Sequence, residues 1–518
     1  MLMKCIVFLG LILSLSVQAA RNPIIFADVP DMSIVRVGNY FYMASTTMHM
    51  SPGLPIMRSN DLVNWEIIGY AYDTLGGCDM MSLANGMHSY GFGSWAPGIR
   101  YHNGTFFVST FARNLERTFI FTTQDIVNGR WTTHSFEPFI HDHTLWFADC
   151  GTIYIIWGEG RIYIAELQPD LSGLIPGTQR VLIENASAPA GDNIMLEAEG
   201  AQLFKVNDMY YLFTIVWPRG GMRTVQVHRA DNIHGPWEGR VALQHLGVAQ
   251  GGLIDTPDGR WFAYLFRDFG SVGRIPYIVP VTWEDGWPVL GVDGRVPETL
   301  DLPVSRGLIP GIVASDEFNR RACEPVLPLV WQWNHNPDNR FWSIDCERPG
   351  HLRLTTGRVD ATFLEARNTL TQRTIGPIST GITALDPSGM KNGDRAGLVL
   401  LQARYGLVGI KKENDQQYIY MINVGSGEPI EQARIPFSGT RVYFKAECDF
   451  RNRADVAQFF YSLDGTTWYA IGETLRMTYT LPLHFMGYRF GLFNYATKEA
   501  GGFVDFDFFR IHQSITFR

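Results

Sequence analysis

The chain has 518 residues, and its 43 lysines and arginines against 51 aspartates and glutamates give a formal net charge of −8. This balance argues against a nucleic-acid partner, which needs a strongly basic surface. Only 18% of the residues are charged and 13% are aromatic, so intrinsic disorder is excluded as the main state. The 52 glycines and 27 prolines imply many turns and predict an all-β protein of two or three domains.

The N-terminus has the pattern of a secretory signal peptide. A short basic start ends at Lys4, and the apolar run over residues 5–17 is too short to cross a bilayer comfortably. Small residues at Ala19 and Ala20 offer a cleavage site, so we expect residues 1–19 to be removed and the protein to be exported, as a periplasmic or secreted protein. A retained anchor is the alternative. After cleavage, no membrane partner is expected.

Five similar segments in the N-terminal part predict a repeated β-sheet unit. Each consists of a strand, a tight turn and an aromatic-rich strand, and the turns begin at Asn39, Asn103, Cys150, Asn207 and Asp258. A tryptophan marks the outer strand of several units, at Trp65, Trp131, Trp237 and Trp283 or Trp287. The unit length of about 47–64 residues is typical of four-stranded propeller blades. We therefore predict a five-bladed β-propeller over residues 20–305.

Equivalent positions in the five units indicate a functional site. The residues eight positions before each turn are Asp31, Trp95, Asp142, Glu199 and Gln250. The first strand of a blade lies innermost, so these positions should surround the central axis. Three of them are acids, and crowded carboxylates repel each other and resist desolvation, so stability alone does not explain them.

Each of these acids also has a simpler structural interpretation. Asp31 and its neighbour Asp28 could be turn residues, and Asp142 could be a solvated loop acid. Glu197 lies close enough to Glu199 to be the functional residue instead. The shared offset of the three acids from their turns favours the functional interpretation.

Carboxylates on a common axis suit the cleavage of glycosidic bonds. One protonates the leaving oxygen while another activates water or attacks the sugar, and a third can adjust and orient the proton donor. Trp95, Gln250 and Arg274 could supply the aromatic surface and hydrogen bonds of a sugar site. A calcium site is the main alternative use of three acids.

Several motifs resemble those of glycoside hydrolase family 43, in the order in which the family has them. They are Asn22-Pro23-Ile24 with the segment from Pro30 to Gly38, Trp95-Ala96-Pro97-Gly98, Asp142 in HDHTLWFADCG, Glu199-Gly200 before AQLFKVNDMYYLF, and Gly273-Arg274 with VTWEDGWPVLG. The resemblance implies an inverting mechanism with Asp31 as general base, Asp142 as the modulating and orienting acid, and Glu199 as general acid. It further implies that Arg274 contacts the sugar in the −1 subsite.

Two positions depart from the family pattern. Many members have histidine where this chain has Gln250, and an amide is a weaker anchor for the calcium ion sometimes held on the propeller axis. The loop TTMHMSPG replaces an aromatic-bearing segment, so we expect Met48 and His49 to line the pocket, with a plain surface loop as the alternative.

The C-terminal part predicts a second β domain. A Pro- and Gly-rich stretch over residues 306–314 indicates a linker, and residues 315–518 show short alternating strands separated by turns, as in a β-sandwich. The segments WQWNHNPDNRFWSI and DFDFFRI resemble the concanavalin-like jelly-roll domain of β-xylosidase-type members. Similar sandwiches hold a structural calcium ion, and Asp316 and Asp505 are the residues expected to share it, with ordinary edge-strand acids as the alternative.

The resulting hypothesis is an exo-acting, inverting glycoside hydrolase that releases xylose or arabinose from plant oligo- or polysaccharides and needs no cofactor for catalysis. β-Xylosidase and α-L-arabinofuranosidase activities both remain open. A non-catalytic, lectin-like propeller is the alternative from another class, and the complete set of acids argues against it. A lyase or a retaining sucrose-type hydrolase is a third alternative, but the opening motif of the latter is absent.

Overall fold

The computed structural model describes residues 19–321, 326–344, 346–479 and 485–517. It confirms the predicted fold class, because five four-stranded antiparallel sheets are followed by a sandwich of an eight-stranded and a seven-stranded sheet. Residues 1–18 of the predicted signal peptide lie outside the described residues. Within the described ranges, no helix has the length and apolarity that crossing a membrane requires.

The strands of the propeller part follow one another along the chain. They are β1 (Ala20–Arg21), β2 (Ser33–Val37), β3 (Tyr40–Ala44), β4 (Met50–Ser51), β5 (Gly53–Ser59), β6 (Glu66–Tyr72), β7 (Gly98–His102), β8 (Thr105–Ala112), β9 (Arg117–Thr123), β10 (Thr132–Phe136), β11 (Thr144–Phe147), β12 (Ile153–Glu159), β13 (Arg161–Leu167), β14 (Arg180–Ile183), β15 (Ile194–Val206), β16 (Met209–Pro218), β17 (Thr224–Ala230), β18 (Glu238–Leu243), β19 (Ala249–Asp255), β20 (Trp261–Asp268), β21 (Arg274–Glu284), β22 (Trp287–Leu290) and β23 (Thr299–Leu300).

The sandwich contains the remaining strands. They are β24 (Gln332–Asn334), β25 (Trp342–Ile344), β26 (Leu352–Thr355), β27 (Leu370–Arg373), β28 (Ile378–Asp386), β29 (Asp394–Leu401), β30 (Gly406–Glu413), β31 (Gln416–Asn423), β32 (Ile430–Phe437), β33 (Val442–Asp449), β34 (Val456–Ser462), β35 (Tyr469–Arg476), β36 (Arg489–Ala496) and β37 (Phe503–His512). Short 3₁₀ helices cover Met80–Ser82, Arg113–Leu115, Ala188–Ala190, Gly270–Val272, Phe363–Glu365 and Arg451–Arg453.

The blades have the strand orders β2-β3-β5-β6, β7-β8-β9-β10, β11-β12-β13-β14, β15-β16-β17-β18 and β19-β20-β21-β22. Each repeated segment of the sequence forms the first hairpin of one blade, as predicted. Trp65, Trp131 and Trp237 each directly precede the outermost strand of their blade, and Trp287 begins that of the fifth. Outside the blades, β1 pairs with β23, so the start and the end of the propeller part are joined by backbone hydrogen bonds.

The sandwich is built into the propeller through one loop. Strand β4 lies in the loop between the second and third strands of the first blade, yet it pairs with β24 at the edge of the eight-stranded sheet, with Ser51 opposite Trp333. The segment predicted as a linker also packs on the first blade, because the Ile67 N–H donates to the Gly311 carbonyl over 3.1 Å. The two domains therefore share a sheet.

Candidate active site

Three residues of the predicted ring have unusual backbone geometry. The φ angles of Asp31, Asp142 and Gln250 are 51°, 42° and 55°, in the left-handed region. Side chains other than glycine seldom adopt this conformation, which costs on the order of 1 kcal/mol for each residue. Each lies at or just before the innermost strand of its blade, so the chain accepts this strain where it turns towards the axis.

The acids from different blades meet at the end of the propeller axis. The Gln250 amide donates to Asp142 Oδ2 over 3.4 Å, and His141 Nε2 lies 3.1 Å from Glu199 Oε2. A small cavity on the axis is lined by Asp31, Asp142 and Gln250, together with residues of the second and fourth blades. The common offset in the sequence therefore corresponds to a common location in space.

Asp31 is held by an arginine from the fifth blade. Arg274 Nη1 lies 2.5 Å from Asp31 Oδ1, and both side chains are only 5% exposed. Arg274 also contacts Asp268 at 3.1 Å, and Asp268 in turn pairs with Arg223 at 2.9 Å. Burial raises the pKa of Asp31 above its ordinary value, and the cations Arg274 and Arg223 only partly oppose this shift.

Asp142, His141 and Glu199 form a second group with shared electrostatics. Burial raises the pKa of Asp142 to about 7, and Glu199 and Asp31 add to this while His141 opposes it. Burial lowers the pKa of His141, but Asp142 and the bond to Glu199 outweigh it and raise the value to about 9. His141 therefore stays protonated and Asp142 holds a proton up to about neutral pH, both next to Glu199.

The same three residues could also hold a metal ion. One ligand atom from each of His141, Asp142 and Glu199 lies within 4.8 Å of the other two. An imidazole with two carboxylates suits a divalent transition metal. A metal bound there would compete directly with the proton chemistry of Glu199.

The sandwich contributes an aromatic residue that the sequence reasoning missed. Phe485 stacks on Trp95 with ring centroids 5.3 Å apart and planes 10° apart. The Arg274 guanidinium carbon lies 4.4 Å from the Phe485 ring centroid. Phe485 therefore covers the side of the site formed by the second and fifth blades, and only the docking of the two domains could have indicated it.

His49 does not lie with the acids, contrary to the expectation from the sequence. Its side chain is fully buried, Nε2 lies 3.2 Å from Asn334 Oδ1, and the ring packs against His335 with centroids 4.5 Å apart. Because Asn334 and His335 belong to the sandwich, His49 is part of the domain interface next to β4. Met48, at 0% exposure, is equally buried.

Asp316 and Asp505 do not form a shared ion site. Asp316 pairs with Arg320 at 2.7 Å, whereas Asp505 pairs with Arg353 at 2.7 Å. Asp316 bonds to the backbone of Phe509, which lies about 13 Å along β37 from Asp505. Each carboxylate is thus neutralised by its own arginine, and the calcium ligands expected from the resemblance are not brought together.

The structure also separates the acids that were ambiguous in the sequence. Glu197 accepts a hydrogen bond from the Ser187 hydroxyl, away from the other acids. Asp28 is buried behind the site, where its carboxylate accepts the N–H groups of Arg274 and Gly487 over 2.8 and 3.0 Å. Asp28 is therefore a structural residue, and Glu199 is the acid that faces the site.

The site combines acids from several blades around one axis, one arginine that pairs with one of these acids, and an aromatic wall. These features define the site of a glycoside hydrolase. The chain belongs to glycosyl hydrolases family 43, whose profile matches residues 20–288. The profile of the β-xylosidase C-terminal concanavalin A-like domain matches residues 315–512.

Relatives of this chain carry two kinds of activity in their names. A β-xylosidase of Formosa agariphila is 29% identical over 94% of this chain and 89% of its own length. A non-reducing end α-L-arabinofuranosidase of Bacteroides ovatus is 27% identical over 81% of this chain and 79% of its own length.

The fold matches solved structures over nearly all of its length. A bifunctional GH43-CE protein of Bacteroides eggerthii has a TM-score of 0.95 and 62% identity over 97% of this chain. This chain spans 64% of that longer protein. A second structure, of an engineered GH43 enzyme described as having endo-xylanase and exo-arabinofuranosidase activity, has a TM-score of 0.84 and 30% identity.

Proposed function

We propose that this protein is an exo-acting, inverting glycosidase that releases xylose or arabinose from the ends of plant cell-wall oligo- and polysaccharides. The observation that carries the proposal is the arrangement of the Asp31–Arg274 pair and the His141–Asp142–Glu199 group around one axis. One part fixes a carboxylate with an arginine, and in the other His141 and Asp142 retain protons beside Glu199. Glycoside hydrolysis needs such a pair of acidic groups on the two sides of the bond that breaks.

The proposed reaction is a single displacement at the anomeric carbon. Asp31 takes a proton from water as the water oxygen bonds to that carbon, and Glu199 gives its proton to the departing glycosidic oxygen as the old bond breaks. Inversion leaves room for this water when the two carboxyl groups lie about 6.5–9.5 Å apart. Asp142, held by the Gln250 amide, orients His141 and Glu199, and Arg274 fixes Asp31.

Exo action is supported by the wall that the sandwich adds to the propeller. Phe485 stacks on Trp95 and covers Arg274, so that side of the site is closed to a continuing polysaccharide chain. A site closed on one side accepts a chain end, whereas an open groove accepts internal segments.

A panel of 4-nitrophenyl glycosides tests the proposal. Hydrolysis of the β-D-xyloside or the α-L-arabinofuranoside, with the inverted anomer as the first product in proton NMR, is expected. Both activities occur among the names of the relatives, so the panel decides between them. A retained anomer would contradict the roles given to Asp31 and Glu199. Binding of sugars without turnover would support the lectin-like alternative instead.

Export to the periplasm or the medium is a further part of the proposal, supported by the basic start and apolar run of residues 1–17. N-terminal sequencing of the mature protein should begin near Ala20. Members of family 43 generally need no cofactor for catalysis. Structural calcium at Asp316 and Asp505 is not included, because each of these acids already has an arginine partner.

A further inference from the structure

Two arginines lie side by side in the interface between the domains. Arg373 in β27 and Arg489 in β36 are direct partners across the two antiparallel strands, and each is 1% exposed. Like charges directly opposite each other destabilise a sheet, and burial removes the water that would screen them. This pair therefore needs compensating negative charge.

Three side-chain nitrogen atoms of these two arginines have no hydrogen-bond partner in the described parts of the chain. Arg373 Nε donates to the Asp28 carbonyl over 2.8 Å, and Arg489 donates to Thr371 Oγ1 over 3.0 Å and to Gln332 Oε1 over 2.7 Å. Arg373 Nη1, Arg373 Nη2 and Arg489 Nη1 are buried and have no partner. Leaving a buried charged donor unsatisfied is more costly than leaving a neutral one.

The negative charge facing the pair within the described residues does not balance it. Asp28 and Tyr70 are the acidic groups that act on both arginines. The Asp28 carboxylate is bonded to the N–H groups of Arg274 and Gly487, and the Tyr70 hydroxyl donates to the Leu329 carbonyl. Two guanidinium groups against one carboxylate leave one excess positive charge in a buried place.

We propose that a monovalent inorganic anion, chloride under physiological conditions, binds between Arg373 and Arg489 and accepts hydrogen bonds from their unused N–H groups. Such an ion neutralises the excess charge and satisfies the donors at the same time. The proposed anion would lie behind Asp31, the proposed base. Arg373 bonds to Asp28, Asp28 holds the backbone N–H of Arg274, and Arg274 pairs with Asp31. The anion thereby fastens β36 and the preceding Phe485 segment to the propeller.

Thermal unfolding at constant ionic strength tests this inference. The midpoint should be about 2–4 °C higher in sodium chloride or bromide than in sodium gluconate, whose anion is much larger than a halide. Arg373→Met and Arg489→Met should each lose this halide dependence. Arg451→Met is the matched control, because Arg451 lies on the same domain with a side chain that is 54% exposed, and it should keep the dependence.

Crystals of the unaltered protein soaked in bromide give a second readout that does not depend on the folding of the variants. An anomalous peak within hydrogen-bond distance of Arg373 Nη1 or Nη2 and Arg489 Nη1 supports the proposal. A water molecule there without an anomalous signal, or an equal halide effect in the control and the two interface variants, overturns it.

Discussion

Arg274 reaches from the fifth blade to the neighbouring first blade and holds Asp31 there, in an ion pair of which each side chain is only 5% exposed. The same guanidinium contacts Asp268 and lies against the ring of Phe485. The Arg274 side chain thus contacts the proposed base, the end of β20 in the fifth blade, and the sandwich. The planar guanidinium group has N–H donors in fixed directions and can hold two carboxylates at once, which a lysine ammonium group does less well.

Arg274→Lys should lower kcat/KM on 4-nitrophenyl glycosides by at least about 100-fold, because a lysine cannot hold Asp31 and Asp268 together. Weakening a buried pair should also lower the melting temperature. Arg267→Lys, on the same blade hairpin, is the control and should change the rate little. Equal rates for Arg274→Lys and the unaltered protein would remove Arg274 from the positioning of the base.

Glu199→Gln should lower turnover of natural oligosaccharides by about 10²–10⁴-fold, the range for the loss of a general acid. Aryl glycosides with a good leaving group need less protonation and should lose less. Glu197→Gln is a close control, because Glu197 lies two positions away but bonds to Ser187 instead of facing the site. If both classes of substrate lose activity equally, Glu199 is not the proton donor.

Asp142→Asn should stabilise the protein at high pH while it impairs catalysis. The carboxyl of Asp142 has a pKa raised to about 7 by burial, so it is neutral in the folded and unfolded states at the lowest pH values. Between the ordinary pKa of an aspartate and about pH 7, the unfolded state is ionised while the folded state keeps its proton. Stability therefore falls over this range, and the loss is complete above about pH 7. The gain in melting temperature of Asp142→Asn should therefore be larger at about pH 8 than at about pH 4.

Differential scanning fluorimetry across this pH range checks the expectation for Asp142. Asp149→Asn serves as the control, because the Asp149 side chain is fully exposed, and its effect should not grow with pH in this way. If Asp142→Asn raises the melting temperature equally at both ends of the range, burial of the Asp142 carboxylate does not destabilise the folded protein.

Phe485→Ala should raise KM and lower kcat/KM about tenfold on short substrates, since stacking on Trp95 and contact with Arg274 are lost. Product analysis on xylan and arabinan fragments should also show some internal cleavage, because one wall of the site is removed. Phe341→Ala, on the sandwich but near Gly357 instead of the acids, is the control. Unchanged kinetics and products for Phe485→Ala would refute its role as a wall.

The ring of acids could be predicted from the sequence because a propeller repeats its geometry. A constant offset from each turn is enough to place Asp31, Asp142 and Glu199 at one end of the axis, whatever the distance between them in the chain. The partners of these residues follow no such rule. His141 is one position from Asp142, but its contact with Glu199 depends on how the third and fourth blades face each other.

The errors and omissions arise where the two domains meet. The expectation that His49 lines the pocket fails because nothing in its own loop shows that β24 of the sandwich covers it. Phe485 was missed because it follows Trp95 by hundreds of residues and reaches it only when the domains dock. The expectation of an ion ligand at Asp505 fails because its partner Arg353 lies on a strand that is far away in the sequence.

The pairing of Met50–Ser51 with the sandwich has a consequence for engineering and for evolution. A propeller expressed alone would expose the unpaired backbone of this loop to solvent. A sandwich expressed without the propeller would expose the edge of β24, and such unpaired edges pair with other chains. Exchange of the sandwich between relatives must therefore carry a compatible first-blade loop with it. The two domains should be inherited, swapped and redesigned as one unit.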